Sequence, residues 1–119
     1  MPVGELSVGS DAELAGHGAR SHLHDGRVVA WTGSYDVPVA VDAEVERAVP
    51  AALAKRFGTD RFWERWTRAE CVAKLTGGGV FDLLDLMDSA VAGDAGADVR
   101  LSTVRLPGGI VVSVGSRVS

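Results

Sequence analysis

The tripeptide Pro107-Gly108-Gly109 separates two runs of alternating or apolar residues, at 99–106 and 110–116, that are rich in β-branched side chains. A glycine-containing turn between two such runs is a strong signal for a β-hairpin. Because a hairpin pairs its strands antiparallel, these residues predict an antiparallel sheet near the carboxyl end of the chain.

A second pair of strands is predicted nearer the amino end. Residues 27–32 are β-branched and aromatic, residues 33–36 have turn chemistry, and residues 37–44 alternate. One face of the alternating run carries Val37, Val39, Val41 and Ala43, and the other carries Pro38, Ala40, Asp42 and Glu44. We expect the two segments to form an antiparallel hairpin.

The middle of the chain predicts helices. Residues 47–57 have helical spacing and end at Gly58, and a second helix, capped by Thr59 or Asp60, should run to about Leu75. Residues 80–92 could form a third. The apolar stripe of the second helix is formed by Phe62, Trp63, Trp66, Ala69, Cys71 and Ala73. The order ββ–ααα–ββ predicts the α+β class, an antiparallel sheet packed against helices.

The length of 119 residues suits one domain. Residues 1–20 have weak periodicity and predict either a flexible or weakly ordered amino-terminal arm or a poorly specified edge element, so that the domain proper would be 21–119. The net charge of −4 argues against a nucleic-acid binder. The sequence has neither a basic, apolar leader nor a run of the ~18 apolar residues that a membrane span needs, so we expect a cytoplasmic protein without membrane contact.

Cys71 has no second cysteine to pair with and is expected to be a buried thiol.

Asp42 and Glu44 lie two residues apart on a predicted strand, so their carboxylates leave the same face. Two such charges repel unless a cation lies between them, and a hard divalent ion prefers oxygen ligands. The alternative is a pair of acids at a strand end, favoured by the positive end of the helix that follows.

Glu70 and Lys74 lie one turn apart on the second helix, in the favourable order for an ion pair. A surface salt bridge explains them without any ligand. Their position after two tryptophans and before the glycines at 77–79, which allow a ligand to approach the backbone closely, favours a site instead.

Ser21 and His22 precede the first predicted strand, beside a Gly26 turn. A histidine in this position can donate a hydrogen bond to a phosphate. The alternative is an ordinary polar loop histidine.

These pieces occur in an order that resembles the 4′-phosphopantetheinyl transferase superfamily. That family carries a Ser-His turn before a strand, then Gly-x-Asp-x-Glu, then Trp-(Ser/Thr)-x-Lys-Glu-(Ala/Cys)-x-x-Lys followed by Thr-Gly-x-Gly. Ser21-His22, the run 39–44, and residues 66–74 with 76–79 resemble these three motifs. The resemblance covers about residues 20–116 and is nearer to the surfactin-synthetase-activating branch than to the short holo-acyl-carrier-protein synthases.

The resemblance implies transfer of the phosphopantetheine arm of coenzyme A to a serine of an apo acyl or peptidyl carrier protein. It implies that Asp42, Glu44 and Glu70 hold Mg²⁺, and that Glu70 also orients or deprotonates the serine hydroxyl. Lys74 would neutralise the transferring phosphate and the leaving 3′,5′-ADP. His22, with Ser21 beside it, would bind a coenzyme A phosphate.

The chain also departs from the family pattern. Ala69 stands where the family usually has lysine, so a phosphate contact is lost unless Arg68 reaches round, and Ala40 replaces a glycine. The stretch between Glu44 and Trp66 is short, and only the second half of the branch's two-part structure is represented. Two hypotheses follow: a transferase that forms a homo-oligomer to complete its coenzyme A cleft, which the retained acids and Lys74 favour, or a non-catalytic relative that binds a carrier protein or another partner.

Overall fold

The computed structural model of the protein describes residues 5–33, 37–77, 84–87 and 99–117. Its strands and helices, in chain order, are β1 Leu6–Gly9, α1 Asp11–Leu14, β2 Arg20–His22, β3 Val28–Trp31, β4 Val39–Val45, α2 Ala51–Phe57, α3 Phe62–Thr76, β5 Val99–Leu106 and β6 Ile110–Arg117.

The carboxyl-terminal strands form the hairpin that the sequence predicts. β5 and β6 pair antiparallel, with Leu106 opposite Ile110. The turn between them contains Gly108 at φ +88° and Gly109 at φ +74°, a backbone region that favours glycine. β4 pairs with the other edge of β6, which gives an antiparallel sheet in the order β4-β6-β5.

The predicted hairpin between residues 27–32 and 37–44 is wrong. β3 is the middle strand of a separate antiparallel sheet, in the order β1-β3-β2, whereas β4 belongs to the sheet described above. All four residues of β3 are buried, and their backbone N–H and C=O groups therefore need hydrogen-bond partners, which β1 and β2 supply at the two edges of the strand. β4 pairs along its whole length with β6 instead.

Part of the segment expected to be a weakly ordered arm has regular structure. Leu6 in β1 lies opposite Trp31 in β3. Ser10 caps α1, because its hydroxyl accepts the Glu13 N–H at 3.1 Å while Glu13 Oε1 accepts the Ser10 N–H at 3.0 Å. The missed signal is this Ser-x-x-Glu capping box. β1 is thus an edge strand of the β1-β3-β2 sheet, and α1 follows it directly.

The two longer helices end where predicted but begin differently. α2 starts at Ala51 rather than Arg47, because Pro50 at ψ 138° is extended, and it ends at Gly58 with φ +76°. α3 follows Arg61, whose φ of +45° is left-handed, and neither the Thr59 nor the Asp60 side chain accepts a capping hydrogen bond from the first turn of the helix. Its carboxyl end at Thr76 agrees with the prediction.

The β4-β6-β5 sheet lies between the β1-β3-β2 sheet and α3. The face of this sheet that meets the β1-β3-β2 sheet forms a buried core with it, made by Ala19, Leu23, Val29, Trp31, Val41, Ala43, Ile110, Val112 and Val114. Its other face meets α3, where the Thr67 and Ser113 hydroxyls lie 2.8 Å apart. The α+β class with antiparallel sheets packed against helices is confirmed, while the phosphopantetheinyl transferase type of domain stays a prediction.

Some predictions fall outside the described residues. Within the predicted helix 80–92, residues 84–87 are helical and the rest are not described, nor are the turn residues 34–36 and the glycines at 78 and 79. None of the described helices is long and apolar enough to cross a membrane.

Candidate functional site

The candidate site lies where the outer face of β4 meets the last turns of α3. Strand alternation directs Val41 into the core and Asp42 towards α3. The Lys74 ammonium donates hydrogen bonds to the Val41 carbonyl at 2.7 Å and to Asp42 Oδ1 at 3.3 Å. The strand and the helix therefore meet here, and they bring one acid, Asp42, and one cation, Lys74, into contact.

Asp42 is buried to an unusual degree for a carboxylate, with 7% of its surface exposed. Its Oδ1 also lies 3.4 Å from the Ser21 hydroxyl, whereas its Oδ2 is buried and has no hydrogen-bond partner among the described residues. Burial raises the pKa of Asp42 to about 7, against the attraction of Lys74 and with the help of repulsion from Glu70 and Glu44. A buried, unpartnered carboxylate oxygen is costly, and either a proton or a cation would relieve it.

Glu70 and Glu44 complete the acidic part of the site. Glu70 is half-buried, and burial raises its pKa, with Lys74 opposing and Glu44 adding to the shift. Glu44 Oε2 accepts a hydrogen bond from Arg47 Nη1 at 2.9 Å. The three acids are thus close enough for their charges to interact, as predicted.

The acids do not yet form a coordination shell. Within the described ranges, no group of three or more His, Cys, Asp or Glu side chains is arranged to hold a metal ion. Among the described residues, Lys74 forms its ion pair with Asp42 and not with Glu70, which precedes it by one turn of α3. Nevertheless the donors fit a hard divalent ion chemically, because they are all carboxylate oxygens and the buried Asp42 Oδ2 has no hydrogen-bond partner among the described residues.

Ser21 and His22 are separated by the strand that contains them. β2 runs through both residues, so they face opposite sides. The Ser21 hydroxyl is directed towards β4, whereas His22 Nε2 lies 3.1 Å from Asp11 Oδ1 on the surface, with 58% of its side chain exposed. The expected Ser-His turn is therefore a strand, and the two side chains do not act as a neighbouring pair.

Arg68 does not take the position of the missing lysine. Its Nη1 donates to Thr103 Oγ1 at 2.9 Å on β5, the strand at the other edge of the sheet from β4. Ala69 is fully buried in a cluster with Phe62 and Val111. A lysine at position 69 would therefore have to leave the core to reach a phosphate.

A cleft of about 470 Å³ opens beside Lys74. It lies between β2 and β4 and is lined by Gly18, Ala19, Arg20, Pro38, Val39, Ala40, Val41, Lys74 and Leu75. The cleft has a mixed polar and apolar lining that includes Arg20 and Lys74, which suits a ligand that carries both an uncharged chain and an anionic group.

Cys71 is not a candidate nucleophile. Its thiol is buried and donates to the Ser113 carbonyl at 3.1 Å, and burial raises its pKa to about 12. The prediction of a buried thiol is confirmed.

Arg47 is a site residue that the sequence did not reveal. Besides binding Glu44, its guanidinium lies 4.1 Å from the ring centroid of Trp63, and the indole N–H of Trp63 donates to the Arg47 carbonyl at 2.8 Å. The sequence could have indicated the ion pair, because Glu44 and Arg47 are oppositely charged and three residues apart. The contact of Arg47 with Trp63 could not be foreseen, because it depends on how α3 packs.

Comparisons with models of known families, with curated proteins and with solved structures returned no match.

Proposed function

We propose that the protein transfers the phosphopantetheine arm of coenzyme A to a serine of an acyl or peptidyl carrier protein, with Mg²⁺ held by Asp42, Glu44 and Glu70. The observation that carries the proposal is the environment of Asp42. Its Oδ2 is buried and unpartnered among the described residues, Lys74 lies against Oδ1, and two further acids act on its pKa.

Phosphoryl transfer requires positioned groups and compensation of developing charge. When bound, Mg²⁺ would supply charge neutralisation at the pyrophosphate of coenzyme A. Glu70, whose pKa is raised by burial, would accept the proton of the attacking serine hydroxyl. Lys74, with 38% of its side chain exposed, can turn towards the phosphate that departs with 3′,5′-ADP.

The test is incubation of the protein with coenzyme A, Mg²⁺ and apo carriers of the fatty-acid, polyketide and peptide types. Mass spectrometry should detect the added phosphopantetheine on at least one carrier serine, and its appearance should require the metal. A carrier in which that serine is replaced by alanine is the control. No modification of any carrier, together with no Mg²⁺-dependent binding of coenzyme A, would overturn the proposal.

Ala69 favours a second candidate, a non-catalytic module that binds a carrier protein or another partner. Position 69 is a buried alanine, so this chain has no cation at the position where the family usually has a lysine. Binding of an unmodified carrier without transfer, in the assay above, would support that candidate.

For the transferase we also propose self-association, in which a neighbouring subunit completes the cleft beside Lys74. Sedimentation of the active protein should give a species larger than the monomer. A fully active monomer would contradict this part of the proposal.

A further inference from the structure

The hydroxyl of Ser21 lies at the junction of the two sheets. Ser21 is 6% exposed. Its Oγ accepts the Ala43 N–H at 3.1 Å and lies 3.4 Å from Asp42 Oδ1, to which it can donate its proton. One hydroxyl on β2 therefore contacts two consecutive residues of β4.

The contact with Ala43 replaces a missing strand neighbour. β4 pairs with β6 along one edge, and the Ala43 N–H points to the other edge, where it meets Ser21. A buried backbone N–H without a partner would destabilise the strand at this point. Because Asp42 is the preceding residue, the same hydroxyl fixes both the backbone and the carboxylate of the candidate metal ligand.

We propose that Ser21 is a positioning residue for Asp42 and not a ligand of coenzyme A. This inference rests on the proposed function. Ser21 and Lys74 both contact Oδ1, so that the carboxylate is held with Oδ2 as the oxygen left for the cation. The Ser21 hydroxyl accepts from the Ala43 N–H and donates to Asp42, and both contacts lie inside the protein. The hydroxyl therefore has no exposed proton that it could donate to a phosphate.

The experiment measures two affinities in the full-length protein. Binding of Mn²⁺ alone is followed by electron paramagnetic resonance of the free ion, and binding of coenzyme A is measured by calorimetry in the presence of a chelator. Ser21→Ala should weaken Mn²⁺ binding by about tenfold, the loss typical of removing an outer contact to a metal ligand. The affinity of Ser21→Ala for coenzyme A in the absence of metal should stay within about twofold of the wild-type affinity. A change of this size is clearly smaller than the roughly tenfold loss expected for Mn²⁺. Ser21→Thr, which keeps the hydroxyl, should restore Mn²⁺ binding.

Ser113→Ala is the matched control. Ser113 lies directly opposite Asp42 on β6, and its buried hydroxyl contacts Thr67 and Thr103 rather than the carboxylate. The Ser113→Ala variant should be less stable than the wild type but should bind Mn²⁺ with the same affinity. If Ser21→Ala does not fold, Ser21→Cys, of similar volume and weak hydrogen-bonding capacity, takes its place.

The outcomes separate the two proposals. Unchanged Mn²⁺ affinity in Ser21→Ala, or weaker metal-free binding of coenzyme A, would overturn the positioning role while the wild type still binds metal. A wild-type protein that binds no Mn²⁺ would overturn the metal site of the proposed function, and the role of Ser21 with it.

Discussion

Lys74 Nζ on α3 lies 3.3 Å from Asp42 Oδ1 on β4, and the same ammonium donates to the Val41 carbonyl at 2.7 Å. The two partners differ in their access to water, because 38% of the Lys74 side chain is exposed but only 10% of the Asp42 side chain. Loss of the cation therefore leaves a buried charge, whereas loss of the anion leaves a cation that water can solvate. The two residues should respond differently to substitution and to pH.

Asp42→Asn should stabilise the protein in mildly alkaline solution. The pKa of Asp42 is about 7 in the folded protein against an ordinary value of 3.8, so the folded state holds this proton more tightly than the unfolded state. The free energy of unfolding should consequently fall as the pH rises through that interval, by up to about 4 kcal/mol. Asparagine removes this loss but also the ion pair, so we expect a net gain of roughly 1–3 kcal/mol at pH ~8.

Urea unfolding of both proteins at pH ~5 and pH ~8 checks this expectation, since these values lie on either side of the raised pKa. Asp25→Asn is the control, because Asp25 lies on the surface and the hydrogen bonds from Arg27 lower its pKa. An Asp42→Asn variant that is less stable than the wild type at the higher pH would contradict the burial argument.

Lys74→Met should destabilise the protein more at alkaline than at acidic pH. Above the pKa of Asp42 its carboxylate would be charged and buried without its cation, whereas below it the group is neutral. We expect a loss of about 1–3 kcal/mol at pH ~8, less than for a fully buried pair because Lys74 is partly exposed. A double-mutant cycle with Asp42→Asn measures the coupling, and a coupling that does not grow between pH ~5 and pH ~8 would argue against a charged Asp42.

Local patterns were sufficient to predict the elements that build the site. The turn chemistry of Pro107-Gly108-Gly109 defined the β5–β6 hairpin, and Gly58 and Gly77 ended the two longer helices. Alternation along 39–44 directed two acids to one face of β4, and helical spacing put Glu70 and Lys74 on neighbouring turns. These features depend on near neighbours in the chain, which is why the sequence alone could predict them.

The choice of partners could not be predicted in the same way. β3 and β4 are adjacent in sequence but belong to different sheets, because β4 pairs with a strand about seventy residues later, which no local pattern identifies. Three residues of β2 are too few for a periodic signal, so the opposite directions of Ser21 and His22 were not foreseen. Likewise, Lys74 pairs with Asp42 across the fold rather than with Glu70 on its own helix.

Gly115→Ala tests how closely the end of α3 packs on β6. A Cβ at position 115 would lie 3.0 Å from the side-chain ends of Leu75 and Leu101, and 3.4 Å from Cys71 Cβ. The two leucine side chains can move, so we expect a loss of about 1–2 kcal/mol rather than unfolding. Chemical denaturation gives the loss. Unchanged stability would mean that α3 can move outwards from the sheet without a measurable penalty.

Glu70→Gln should abolish transfer and leave the fold intact. Glu70 is half-buried, and burial together with Glu44 raises its pKa, so replacing its charge with a neutral amide removes repulsion within the site. Stability should therefore change by less than about 1 kcal/mol. The rate of carrier modification should fall by at least about a hundredfold, the usual contribution of a group that accepts a proton in the reaction.

Glu64→Gln, on the same helix, is the matched control, because Glu64 pairs with Arg105 on β5 and should keep a near-normal rate. Equal rates for the two variants would remove Glu70 from the chemistry, since the substitution is the same and only the position differs.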